Sequence, residues 1–163
     1  DTLKFVREGR PVYVLRTFSK AHGLAGLRIG YGVSTREGAM LLQRVRQPFN
    51  VNAAAQAAAL AALGDEDHLA GIRAATADGL AQLEAGCARL GLETVPSVIN
   101  LMLVKVGRGR EMFQALQRRK VVVRPMDGYG LPDHVRVTVG TAEENQRFLE
   151  ALENALAERE ASR

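Results

Sequence analysis

The segment Thr17-Phe18-Ser19-Lys20-Ala21-His22-Gly23-Leu24-Ala25-Gly26-Leu27-Arg28 separates two apolar runs, Val12-Tyr13-Val14-Leu15 and Ile29–Val33. Both runs are short and carry β-branched or aromatic residues, which predicts a buried strand at 12–15 and a second strand at 29–33. Gly23 and Gly26 suit a tight connection between them. Gly30 and Gly32 leave room for another backbone or a ligand beside the second strand. This segment constrains the fold most, because it forces two strands and a lysine-bearing turn into a small space.

The chain then changes period. Arg36–Arg46 places apolar residues at Met40, Leu41, Leu42 and Val45 and reads as a helix that Pro48 ends. Asn52 can cap a helix over Ala53–Leu63, whose alanine and leucine content predicts burial on most sides. Gly64 stops it. Asp65-Glu66-Asp67 puts negative charge at the start of a long helix to about Leu90, with Gly91 as its C′ residue. Beyond it, strands are expected at Val98–Val106, Val121–Val123 and Val135–Val139. A helix is expected at Arg110–Arg119 and a Pro/Gly loop at Pro125–Asp133. Thr141-x-x-Glu144 is a capping box that opens a last helix to about Glu158. The texture predicts two α/β parts, 1–75 and 76–163, with the boundary inside the long helix.

Composition narrows the function class. The chain has 163 residues, 47% hydrophobic and 25% charged, as in a globular domain. No apolar run reaches the roughly 18 residues of a membrane span. A single cysteine fits a reducing compartment, and a cytoplasmic protein is expected. The net charge of +4 comes from 22 basic residues interleaved with 18 acidic ones, and the densest basic cluster, Arg118-Arg119-Lys120, has no aromatic neighbours. Nucleic-acid binding is therefore not expected. His22, His68 and His134 lack metal-ligand spacing.

The chemistry centres on Lys20 and Arg28. A lysine that attacks an aldehyde must be neutral, and burial beside a cation favours that state. Arg28 offers a planar fork for a phosphate, Ser19 and Thr17 can add hydroxyl hydrogen bonds, and the glycine turn can add backbone N–H groups. Together these suit a Schiff-base lysine and a phosphate clamp, that is, a site for pyridoxal 5′-phosphate (PLP). Taken singly, Lys20 and Arg28 also read as a surface lysine and a surface ion pair. Arg124 and Arg136 sit at apolar strands, where burial of a guanidinium is costly unless it is paired. The partner is either a substrate carboxylate or phosphate or an internal Asp or Glu. His22 reads as structural and Cys87 as inert. Asn100 needs a partner, in the backbone or in a ligand.

The stretch Thr17–Tyr31 resembles the PLP-lysine segment of fold-type I aminotransferases, in particular the histidinol-phosphate aminotransferase branch. Arg46-Gln47-Pro48-Phe49-Asn50-Val51-Asn52 with the alanine run after it is similar to that branch, as is Val135-Arg136-Val137-Thr138-Val139-Gly140-Thr141. The resemblance implies an α/β chain, the C-terminal part of an aspartate aminotransferase-like, PLP-dependent transferase fold. It would comprise a partial large domain with the lysine and a small C-terminal domain.

The resemblance also implies roles. Lys20 would form the Schiff base and carry the proton of the transfer. Ser19 and Arg28, with Thr17 as a further candidate, would bind the cofactor phosphate. Arg136 would pair with a carboxylate, and Arg124 would hold the substrate's distal group. The reaction would be amino transfer between histidinol phosphate, or a similar amine, and 2-oxoglutarate in histidine biosynthesis, in a homodimer. An aromatic aminotransferase, a threonine-phosphate decarboxylase-like enzyme and a non-catalytic module of the same fold are the alternatives. The family's aspartate partner for the pyridine nitrogen, on a D-x-A-Y segment well upstream of the lysine, is not among these residues. The chain is therefore expected to be part of a longer protein, with half a site, little activity alone and an uncovered apolar surface.

Overall fold

In the computed structural model, which describes residues 1–161, the chain divides into two compact units, residues 1–72 and a second that begins at residue 73. The first unit opens with a short helix, α1 (Leu3–Arg7), which the sequence did not announce; the Asp1 carboxylate accepts the Leu3 amide at 2.9 Å and organises its first turn. Strands β1 (Val14–Thr17) and β2 (Gly30–Val33) pair antiparallel, with Val14 opposite Val33 and Thr17 opposite Gly30. Two helices follow, α2 (Arg36–Val45) and α3 (Ala53–Leu63). Both caps form: Thr35 accepts the Gly38 amide, and Asn52 accepts the Ala55 amide at 2.9 Å.

Two expectations of burial fail here. The first strand lies later than the run Val12–Leu15 and buries only Val14, while Leu15 is 69% exposed. A two-stranded ribbon has little to pack against either of its faces, so Leu15, Arg16 and Thr17 all stay open. Helix α3 buries Ala55 and Ala59 alone and leaves Leu60 73% exposed. The apolar surface of this unit, which also includes Tyr13, Tyr31, Val45 and Phe49, is uncovered as expected.

The long helix α4 (Glu66–Arg89) carries the chain from one unit into the next. Gly91 adopts φ +69°, and the Leu92 amide reaches back to the Cys87 carbonyl at 2.9 Å, a left-handed end that glycine makes at no steric cost. The second unit is a four-stranded antiparallel sheet, formed by β3 (Glu93–Val95), β4 (Leu101–Lys105), β5 (Arg124–Pro125) and β6 (His134–Thr138) in the order β3-β4-β6-β5. Helices α5 (Gly109–Arg118) and α6 (Ala142–Ala161) join α4 in packing on it.

Alternation on the strands sets the core. Met102 and Val104 of β4 and Val135 and Val137 of β6 point inward and meet Leu83, Leu116 and Leu152 of the helices. Cys87 is buried there, and burial pushes its thiol up to about 11, so it stays protonated at neutral pH. At the start of α6 the capping box forms in both directions, from the Glu144 amide to Thr141 Oγ1 and from the Thr141 amide to Glu144 Oε2. Asn145, 2% exposed, ties Gly140 to Gln82 of α4 through its amide group.

The expected strand at Val98–Val106 is shorter than its apolar run. Ser97 Oγ donates to the Leu101 carbonyl at 2.6 Å and accepts the Ile99 amide at 3.2 Å, which turns residues 97–99 away from the ladder, while the Asn100 carbonyl still accepts the Val139 amide at 3.0 Å. The run Val121–Val123 is not a strand either. The chain leaves α5 through Lys120 at φ 60°, Val123 packs into the core, and pairing starts only at Arg124.

Candidate active site

The predicted site residues fall into two groups, one on each unit. Thr17, Ser19, Lys20 and Arg28 all lie at or within the connection between β1 and β2, which the Thr17–Gly30 pair closes. The connection is folded by its own backbone. The Gly23 amide donates to the Lys20 carbonyl at 2.9 Å, the Leu24 amide to the Phe18 carbonyl at 2.9 Å, and the Phe18 amide to the Ile29 carbonyl at 3.2 Å. Phe18, 3% exposed, anchors it, with the His22 ring at 4.8 Å and the Tyr31 ring at 5.8 Å between centroids.

The polar groups of this connection are arranged to donate. Thr17 Oγ1 accepts the Ser19 amide at 3.0 Å and donates its hydrogen to Ser19 Oγ at 2.9 Å. That leaves the Ser19 hydroxyl hydrogen free for an external acceptor. Arg28 ends a 3-10 turn (Ala25–Leu27) in the left-handed region at φ 53°, uncommon for a residue with a Cβ. Its Nη1 donates to the Ala25 carbonyl at 2.8 Å, and the rest of the fork has no carboxylate partner among the described residues. No Asp or Glu occurs anywhere from residue 17 to residue 36. Lys20 is exposed, so this chain does not itself supply the burial expected around the amine. The glycine turn also offers less than expected, because the amides of Gly23, Leu24, Leu27 and Arg28 are spent inside the connection.

Gly30 is where this arrangement tolerates no side chain. A Cβ there would lie 2.6 Å from the Arg16 carbonyl oxygen and 3.4 Å from Thr17 Cα. Both are backbone atoms of β1, so the strand itself would have to move. Gly30→Ala is expected to cost about 1–3 kcal/mol, the usual cost of overpacking. A urea midpoint for the first unit that does not move would refute this.

In the second unit, Arg124 on β5 stands directly opposite Arg136 on β6. Val135 and Val137 face the core, so Arg136 projects from the other face of its strand, and register partners share a face. Like charges set opposite each other repel. Neither guanidinium has a carboxylate partner among the described residues, so the internal ion pair that the sequence left open is not made. Arg124 lies over the Tyr129 ring at 5.9 Å. Both arginines line an open cleft of about 380 Å³ with Phe113, Val122, Val123, Pro125 and Thr138. Two forks without a carboxylate partner at one cleft are a donor set for a carboxylate or a phosphate. A second cavity of about 310 Å³, lined by Thr2, Phe5 and residues 12–16, contains none of the predicted site residues.

Sequence reasoning missed one contact at the lysine. His68, in the first turn of α4, places Nε2 2.9 Å from the Ala21 carbonyl oxygen. No spacing rule could reveal it. Among the described residues there is no group of His, Cys, Asp or Glu suited to a metal ion, and no helix long and apolar enough to cross a membrane.

Relatives match this chain along most of its length. Histidinol-phosphate aminotransferase of Akkermansia muciniphila is 51% identical over 156 residues, which is 96% of this chain and 43% of the relative. Histidinol-phosphate aminotransferase 1 of Nitrosococcus oceani is 56% identical over 146 residues, or 89% of this chain and 40% of the relative. The crystal structure of histidinol-phosphate aminotransferase from Sinorhizobium meliloti in complex with pyridoxal-5′-phosphate shares the fold with a TM-score of 0.81 at 30% identity, over 90% of this chain and 41% of that one. The chain thus spans less than half the length of these relatives. The likeness bears out the expected architecture, a part of the fold-type I aminotransferase fold. A profile of aminotransferase class I and II matches residues 1–152, so the chain belongs to that family.

Proposed function

We propose that this chain carries the lysine half of a PLP-dependent aminotransferase site and works as part of a longer enzyme. Its substrates are histidinol phosphate, or a closely similar amine, and 2-oxoglutarate. The observation that carries this reading is the β1–β2 connection: an amine at Lys20, a guanidinium at Arg28 and a hydroxyl at Ser19 share one closed loop with no acidic residue in it. That donor set fits an aldehyde bearing a phosphate.

PLP, when bound, supplies an aldehyde for an amine to condense with and a ring that withdraws electrons from the reacting carbon. Lys20 Nζ anchors the cofactor and carries the proton of the transfer. Arg28 and Ser19 Oγ hold the phosphate, while Thr17 Oγ1 accepts the Ser19 amide and turns the Ser19 hydroxyl outward. Arg136 pairs with the carboxylate of the amino acid or oxo acid, and Arg124 holds the distal anionic group. Histidinol phosphate has no α-carboxylate, so Arg136 can meet phosphate in one half-reaction and carboxylate in the other. The opposed pair Arg124 and Arg136 supports this, since two adjacent forks can share either anion.

The test has two readouts on the same preparation. The 163-residue chain mixed with PLP is expected to gain a visible absorbance band. With histidinol phosphate and 2-oxoglutarate it is expected to turn over far more slowly than a full-length relative, because no residue for the pyridine nitrogen is present. No band would refute the lysine assignment. Turnover equal to the full-length enzyme would refute the half-site.

A further inference from the structure

We infer that His68 is a positioning residue for Lys20, holding the turn that carries the amine through its ring hydrogen bond to the Ala21 carbonyl. This rests on the role proposed for Lys20.

Residues Lys20 to Gly23 form a tight turn, closed by the Gly23 amide on the Lys20 carbonyl at 2.9 Å. Ala21, the residue after the lysine, has its carbonyl oxygen 2.9 Å from His68 Nε2, across 47 residues of sequence. Both residues lie in the first unit. A carbonyl oxygen can only accept, so Nε2 carries the hydrogen, in the neutral ring and in the cation alike. Among the described residues this is the one side-chain hydrogen bond to the backbone of residues 20–24 from outside the β1–β2 connection.

The donor is itself fixed. Asp65 Oδ1 accepts the His68 amide at 3.0 Å and caps the first turn of α4, so the ring projects from an ordered helix end. Within the connection, the turn has an aromatic contact of its own. The His22 ring lies 4.8 Å from the Phe18 ring, and its buried Nδ1 has no hydrogen-bond partner. His22 thus packs but does not tether, and the polar tether comes from His68. A lysine on an exposed turn samples many directions, and each unproductive one lowers the fraction ready to meet the aldehyde. Pinning the adjacent carbonyl removes part of that freedom.

The experiment compares the full 163-residue chain with His68→Leu and His68→Gln, the latter keeping an N–H donor of similar reach. Amide exchange by NMR, without cofactor, is expected to be roughly fivefold faster at Gly23 in His68→Leu, the worth of one ordinary hydrogen bond. In His68→Gln it should stay within about twofold of the parent. The amide of residue 68, which Asp65 holds, should be unchanged in both.

The second readout is borohydride trapping of PLP at Lys20, scored by mass spectrometry against Lys4 in the same chain. It should fall in His68→Leu, by no more than that same roughly fivefold since the competent fraction cannot drop further than the closing equilibrium does, and recover in His68→Gln. Unchanged Gly23 exchange in His68→Leu overturns the inference. So does equal loss in both variants, or parallel acceleration at residue 68, which would mean that the helix end had frayed. A parent chain that traps no PLP at Lys20 would refute the proposed function and with it any part His68 plays in capture, while the exchange data would still decide whether the tether holds the turn.

Discussion

Lys20→Ala is expected to abolish covalent capture of PLP, with the visible absorbance band lost and trapping at that position gone. Non-covalent affinity should survive in part, because Arg28 and Ser19 remain to hold the phosphate. The magnitude follows from proximity. An amine held beside a bound aldehyde acts at an effective concentration far above that of any amine in solution, about 10⁵ M or more for well-oriented groups. No other lysine offers this. Lys105 is tied to Glu93 at 2.8 Å across β3 and β4, and Lys4 and Lys120 lie outside the β1–β2 connection. The complementary variant, Arg28→Ala, should leave the chemistry possible and weaken cofactor binding by roughly tenfold to a hundredfold, as expected for charge-assisted hydrogen bonds. Spectrophotometric titration with PLP separates the two: the band is lost in one variant and shifted to higher cofactor concentration in the other. A Lys20→Ala chain that keeps the band would place the aldehyde on another amine and overturn the site.

Leu152→Ala is expected to be the most disruptive change in the second unit. Leu152 is fully buried on α6, in the cluster built by α4, α5 and the inward residues of β4 and β6. Truncation removes the transfer free energy of its side chain and leaves a cavity in a well-packed layer, together about 2–5 kcal/mol. For a unit of this size that lowers the melting temperature by about 10–30 °C. Leu60→Ala on α3 provides the contrast, since Leu60 is 73% exposed and should change stability by no more than about 0.5 kcal/mol. Differential scanning calorimetry of the two variants checks both numbers. A Leu152→Ala transition within a degree of the parent would show that this cluster is not the core.

The readable parts of this chain were those whose partners are close in sequence. Asn52 caps Ala55, Thr141 and Glu144 cap each other, and Gly91 closes α4 in the left-handed region. Each is a short-range backbone bond that a fixed spacing of residue types announces. The failures have the same origin. Whether Val12–Leu15 is buried, or whether Val98 joins a strand, depends on what packs against it. A β-branched apolar run looks alike in a covered strand and in one that Ser97 turns out of the sheet.

The types of group in the first unit's connection, one amine, one guanidinium fork and two hydroxyls, were determined by the sequence, as were the two arginines of the second unit. The order of the first set along two short strands and a glycine-punctuated turn was as well, since composition and local hydrogen bonding suffice for that. Tertiary structure alone decided that Arg124 stands opposite Arg136 and that His68 reaches the Ala21 carbonyl. Alternation along a strand says which residues share a face, but which strand lies beside it, and which distant side chain reaches a loop carbonyl, is fixed by packing of segments far apart in the chain.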